Sequence, residues 1–320
     1  MGETAKPLIV GMPGHLRHHF EGRLPDGVEP LYFDTVEANF EGASKVDVAW
    51  FDHRAQQKNM NVFAHADRLR WTHVIGAGIE HLPLDTLRER GVRLTNGAGI
   101  NASVVAEYAV MGVLVGAKRF DEVVRAHDRA EWLPDSPGKI ELEGARALVV
   151  GLGHIGGKIA DRLRAFEMRV DAVRNNPRPG DGTMGPHEWQ EKAGDYDFII
   201  VAAPSTEETR ALVDAAVIAR MKPTAWLVNI ARGPLIDREP MIEALREGRI
   251  GGAFLDVTDP EPLTPDDPLW KAPNTIVTMH LSGRAQTGLF RRAADLFLRN
   301  LDAYMKGAPL QNEIDLAQGY

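Results

Sequence analysis

The chain is predicted to be an α/β protein of two domains: a doubly wound parallel sheet, and a second, smaller α/β domain. Three features predict this. Near the middle, a short apolar strand runs into a glycine-rich turn and then into a segment with helical spacing. Beyond the turn, apolar strands alternate with helical or loop stretches, and before it a shorter set does the same. At 320 residues the chain is also too long for one ordinary domain.

The central stretch is Ala147-Leu148-Val149-Val150, then Gly151-Leu152-Gly153-His154-Ile155-Gly156, then Ile159, Ala160 and Leu163 at helical spacing. Four consecutive apolar residues read as a strand buried on both faces. Gly151 permits the tight turn, Gly153 lets a pyrophosphate approach the backbone, and Gly156 lets helix and strand pack closely. The free amides and dipole at the helix start, around His154 and Ile155, favour an anion. A bare Gly-x-Gly-x-x-Gly is common. The flanking strand and helix turn it into a Rossmann-type dinucleotide site.

Taken in order, the first strand is Leu8–Met12, broken by Pro13-Gly14. His15, His18 and His19 read as solvated histidines, because no carboxylate or further ligand stands at a spacing useful for a metal. Further strands are expected at Pro30–Phe33, Val46–Phe51 and Trp71–Ile75, giving a small flavodoxin-like unit. Trp50 is assigned to core packing rather than to a pocket wall. Gly76-Ala77-Gly78 follows a strand, so the Ala77 and Gly78 amides either receive a carboxylate or simply make a turn. A helix at Leu84–Arg90 and a strand at Val92–Leu94 lead to a hinge, Asn96-Gly97-Ala98-Gly99. Asn101 or Ser103 caps a strongly apolar helix expected to be buried between domains or subunits, with Glu107 as a buried, paired carboxylate.

The second set of strands is expected at Ala145–Val150, Met168–Val173, Phe198–Ala202, Ala225–Ile230, Gly252–Leu255 and Thr275–Met279. The last helix, Gly288–Met305, carries Leu289, Ala293, Leu296, Phe297 and Leu301 at helical spacing and is expected to return to the first unit. The domains are therefore discontinuous: residues 1–98 with 287–320 for the substrate, and 99–286 for the dinucleotide.

Composition narrows the function. No apolar run reaches the length of a membrane span, and the first residues carry no signal-peptide core. There is no cysteine, which excludes disulfides, thiolate metal sites and cysteine nucleophiles and fits a cytoplasmic location. A net charge of −8 without long basic runs argues against nucleic acid as the partner. In this fold the second strand usually ends in an acid that binds the adenosine ribose. Eighteen residues past Gly156 the chain instead has Arg174, followed by Asn175 and Asn176, with Arg178 close by. An arginine there pairs with a 2′-phosphate, so NADP(H) is expected over NAD(H); the other reading is that Arg174 stacks on adenine and both are accepted.

The motifs resemble those of the D-isomer-specific 2-hydroxyacid dehydrogenase family, over nearly the whole chain. They are Gly76–Leu82, Asn96–Tyr108, Val149–Gly156, Asn229-Ile230-Ala231-Arg232-Gly233, Leu255–Leu263 and Thr278–Gly283. The layout is similar to the glyoxylate and hydroxypyruvate reductase branch. The resemblance implies that Arg232 orients the substrate, Glu261 is the partner acid and His280 is the acid/base. It also implies that Asp256 meets the nicotinamide carboxamide, that Ala231 lies on the cofactor, and that the chain is a homodimer. Chemistry agrees: a guanidinium forks onto a 2-oxo acid, and an imidazole ordinarily titrates near neutrality and serves in either direction. Glu80 where aspartate is usual, Thr258 where an aromatic is frequent, and Met279 where proline is common depart from the family pattern. The expected activity is reduction of a small 2-oxo acid to the D-2-hydroxy acid. The alternatives are a phosphite- or formate-type dehydrogenase of the same family, or a dinucleotide-sensing scaffold like its corepressor members.

Overall fold

A computed structural model describes residues 6–51, 60–76, 78–79, 82–177, 182–284 and 286–316. The chain forms two compact units, Met1–Ile100 with Thr287–Tyr320, and Asn101–Gln286.

In the first unit the apolar runs form five parallel strands: β1 (Leu8–Pro13), β2 (Val28–Phe33), β3 (Val48–Ala49), β4 (Trp71–Val74) and β5 (Arg93–Asn96). Their order is β2-β1-β3-β4-β5, which is the flavodoxin-like arrangement. Strand side chains alternate between faces. Val10, Met12, Val48 and Trp50 join one core with Ala293, Leu296, Phe297 and Leu301 of the C-terminal helix Leu289–Met305. Ile9, Ala49 and Phe51 face a second core containing Phe33, Phe63, Leu87 and Leu94. Trp50 is 1% exposed and meets Phe20 and His73 edge-on, so it is a core residue.

The second unit has seven parallel strands where six are expected: β6 (Arg146–Val150), β7 (Arg169–Val173), β8 (Thr183–Met184), β9 (Phe198–Val201), β10 (Trp226–Asn229), β11 (Gly252–Leu255) and β12 (Thr275–Val277). The order β12-β11-β10-β9-β6-β7-β8 reverses direction at β6 and β9, as a doubly wound sheet does. β8 has only two residues, too few to show a strand period. Leu148, Val150, Ile199, Val201, Leu227 and Leu255 pack on one face, and Val149, Phe198, Ile200, Val228 and Phe254 on the other.

The apolar helix Ala102–Lys118 belongs to this second core, where Ala106, Ala109 and Val113 pack beside Ile159 and Leu163. Its buried face thus packs within its own unit, on the helix His154–Ala165 and on strands β10 and β11. A Cβ on Gly112 would lie 2.6 Å from Phe254, and one on Gly116 equally close to Trp226, so these glycines let the helix sit down on the strands. Glu107 is corrected: it accepts from Ser103 Oγ and faces Arg162, but its side chain is 58% exposed because it points off the apolar stripe. No helix among the described residues is long and apolar enough to cross a membrane.

One buried titratable group makes the first unit acid-sensitive. Trp71 Nε1 donates to Thr95 Oγ1 at 2.9 Å, so the Thr95 hydroxyl proton is left for His73 Nδ1, also 2.9 Å away. His73 is fully buried, and desolvation pushes its pKa down from 6.5 to about 3. The folded protein therefore holds His73 neutral while an unfolded chain would protonate it below pH 6.5. This contribution to stability is complete above pH 6.5 and is lost, at up to about 1.4 kcal/mol per pH unit, as the pH falls toward the depressed value. Urea unfolding from pH 7 to 4.5 should show this slope in the wild type and a shallower one in His73→Gln. Equal slopes would contradict it.

Candidate active site

The glycine turn follows from three different backbone demands. Gly151 takes φ +106°, a conformation that side chains disfavour, and its N–H donates to Val173 O at 3.0 Å. That bond holds the turn beside the end of β7, where Arg174 is half-buried and Asn175 exposed. A Cβ on Gly156 would stand 1.9 Å from Gly151 O, so only glycine lets this helix pack against the turn. The helix His154–Ala165 starts at Gly153 without a side-chain cap and without an acid in its first turn, and a Cβ on Gly153 would meet nothing. His154 is exposed and Ile155 half-buried on that first turn. Uncapped amides facing open space at a dipole's positive end suit a pyrophosphate, so the residues present fit a dinucleotide.

The three predicted catalytic side chains are brought to one edge of the sheet by strand register. Asn229, the last residue of β10, pairs with Leu255, and Leu255 with Val277 of β12. Parallel strands that end in register must release their following loops on the same side. Arg232, Glu261 and His280 all lie in those loops. His280 Nδ1 is 2.8 Å from Glu261 Oε2, and the two side chains are partly exposed. An ionised carboxylate only accepts hydrogen bonds, so Nδ1 carries the proton and Nε2 is the nitrogen left to face a substrate. Glu261 Oε1 accepts from Thr258 N at 2.9 Å. Arg232 is exposed, with one guanidinium N–H on Ala231 O at 2.7 Å.

Two supporting side chains carry more than the sequence reading assigned. Asn229, 1% exposed, accepts from Ala231 N and donates to Arg232 O, which fixes the turn that presents Arg232. Asp256 is also 1% exposed. Its Oδ1 accepts from Thr278 Oγ1 at 2.7 Å, Leu281 N at 3.0 Å and Ser282 N at 3.2 Å. Asp256 therefore supports the turn that carries His280, a role beside the contact with a carboxamide expected of it. That turn needs the support: Met279 and His280 both have left-handed backbones, φ 53° and 56°. An asparagine or aspartate closing a strand before such a turn is the signal that would have marked both residues. Ala77, like Glu80, His81 and Arg178, lies outside the described residues; Gly78 follows β4 in the first unit.

The glycines give a paired test of local packing. Gly156→Ala should destabilise the protein by about 1–3 kcal/mol through overpacking. Gly157→Ala, where a Cβ meets nothing within 4 Å, should be neutral or stabilise the helix by about 0.5–1 kcal/mol. Chemical denaturation of the two variants checks both, and equal effects would contradict the close approach at Gly156.

Comparison with known proteins agrees with this architecture. Residues 110–282 match the model of the D-isomer specific 2-hydroxyacid dehydrogenase NAD binding domain. The chain is 32% identical over 255 residues to a glyoxylate reductase/hydroxypyruvate reductase of Mus musculus, covering 78% of this chain and 77% of that one. It is 32% identical to a hydroxyphenylpyruvate reductase of Plectranthus scutellarioides, covering 80% and 84%. Among solved structures, a D-isomer specific 2-hydroxyacid dehydrogenase family protein from Aeromonas salmonicida superposes with a TM-score of 0.83 at 27% identity, covering 98% of this chain and all of that one. A glycine turn shaped for a dinucleotide, an imidazole–carboxylate pair at the same sheet edge and relatives of this similarity together make the chain a member of the D-isomer-specific 2-hydroxyacid dehydrogenase family, an NAD(P)-dependent oxidoreductase.

Proposed function

We propose that the protein reduces a small 2-oxo acid of the glyoxylate or hydroxypyruvate type to the D-2-hydroxy acid, with His280 as acid/base. The observation that carries this reading is the 2.8 Å contact between His280 Nδ1 and Glu261 Oε2, beside the loop of Arg232. Gly151, Gly153, His154, Ile155 and Gly156 would hold the dinucleotide's pyrophosphate, with Arg174 and Asn175 at its adenosine end and Ala231 nearer the reacting ring. A nicotinamide held there would supply the hydride for C2 of the substrate. As the carbonyl π electrons move onto oxygen, the doubly protonated His280 ring delivers its Nε2 proton to make the hydroxyl and is left neutral with its proton on Nδ1. Glu261 keeps the ring in the orientation that points Nε2 outward. Arg232 forks onto the carboxylate and the carbonyl oxygen, holding the substrate and polarising the bond. In the oxidative direction the same Nε2, deprotonated, accepts the hydroxyl proton. The proposal that the Ala77 and Gly78 amides receive the carboxylate rests on the sequence pattern.

NADPH is the proposed reductant, because the residue after β7 is a half-buried arginine and no acid follows it there. A homodimer through the second unit is also proposed. The helix Phe120–Asp128 and the loop after it leave Phe120 55%, Val124 44% and Trp132 94% exposed, apolar side chains that a partner copy would cover. A cytoplasmic location is in keeping with the cysteine-free chain.

Absorbance loss at the NADPH band on mixing with glyoxylate is the direct test. His280→Ala should lower kcat about a hundredfold or more, the usual loss for a general acid. Arg174→Asp should move the NADPH-to-NADH ratio toward NADH. Undiminished turnover in His280→Ala would place the proton donor elsewhere.

A further inference from the structure

We infer that Gly233 and Thr258 are positioning residues that set Glu261 against His280. This rests on the proposed roles of Glu261 and His280. Gly233 directly follows Arg232, and a Cβ built on it would lie 2.1 Å from Thr258 C and O and 2.5 Å from Asp259 N. These are backbone atoms, so no side-chain rotation relieves the overlap. The Thr258–Asp259 peptide therefore lies directly on the bare Cα of Gly233. The same segment holds Glu261 from its other side: Thr258 N donates to Glu261 Oε1 at 2.9 Å, and Thr258 Oγ1 donates to Pro260 O at 2.9 Å. Glu261 Oε2 then takes the His280 ring. The chain of contacts runs from the Arg232 turn, through one peptide, to the carboxylate and the imidazole.

The consequence is mechanical. Asn229 anchors the turn that ends at Gly233, so that turn cannot yield easily when a side chain is added at 233. The Thr258–Asp259 peptide must move instead, by close to an ångström, to restore an ordinary contact. That displacement carries the Thr258 N–H away from Glu261. The hydroxyl of Thr258 has a distinct role, since it ties the backbone between the donor and the carboxylate into a closed loop. An aromatic residue at 258 has no hydroxyl on Cβ for this bond, and valine keeps the shape of threonine without it.

The test reads the imidazole directly. In 15N spectra of the free protein at pH 8.5, with the His280 signals assigned by their loss in His280→Gln, the wild type should show the Nδ1–H tautomer. Gly233→Ala and Thr258→Val should shift it toward the Nε2–H form, while Thr258→Ser should match the wild type. With NADPH and glyoxylate, kcat should fall about a hundredfold in Gly233→Ala, as an ångström of misplacement does. It should fall about tenfold in Thr258→Val, with the KM for NADPH within twofold of wild type in both. If Gly233→Ala does not fold, Thr258→Val and Thr258→Ser decide alone. An unchanged Nδ1–H tautomer in Thr258→Val or in folded Gly233→Ala overturns the inference. Should the tautomer respond while His280→Ala keeps full turnover, the catalytic role of His280 fails and the positioning stands.

Discussion

Asp256 is a carboxylate with 1% of its surface exposed, and burying such a charge is tolerable only where hydrogen bonds replace the water it gives up. Here Thr278 Oγ1 and the amides of Leu281 and Ser282 replace it. They also close the turn in which Met279 and His280 both adopt left-handed backbones. Such conformations cost of order 1–3 kcal/mol each for residues with side chains, and they persist only where their surroundings over-determine them. The buried charge is that over-determination. It aims His280 at Glu261, and the rest of the site is built to meet the ring there.

The three loops of the site start from paired strands, which fixes where each begins. Asn229, Leu255 and Val277 stand in one register across β10, β11 and β12. Two further polar side chains spend their hydrogen bonds on adjacent backbone: Asn229 under Arg232, and Thr258 around Glu261. A functional group is positioned well when its supporting shell is itself locked, and each of the three catalytic candidates has such support. The same economy appears at the glycine turn, where Gly151 and Gly156 share one close contact that sets the helix start.

Much of this was legible in the sequence because it is written in local pattern. The strand, glycine turn and helix around residue 151 announce themselves by spacing, and the apolar runs mark the strands that carry Arg232, Glu261 and His280. What escaped depends on contacts between distant segments. β8 has two residues and no period to read. Glu107 lies in an apolar helix but points off its buried stripe, which composition cannot tell. The carboxylate of Asp256 turns inward to a loop more than twenty residues away, so its role in the histidine turn is visible only in three dimensions. Gly233 looks like a turn residue until the Thr258–Asp259 peptide is seen resting on it.

If His280, Glu261 and Arg232 act as one constellation on one face of the substrate, the product must have a single hand. The most direct measurement is the configuration of glycerate formed from hydroxypyruvate and NADPH by the purified protein. D-glycerate alone is the result this account predicts; L-glycerate, a racemic mixture or no product would contradict it.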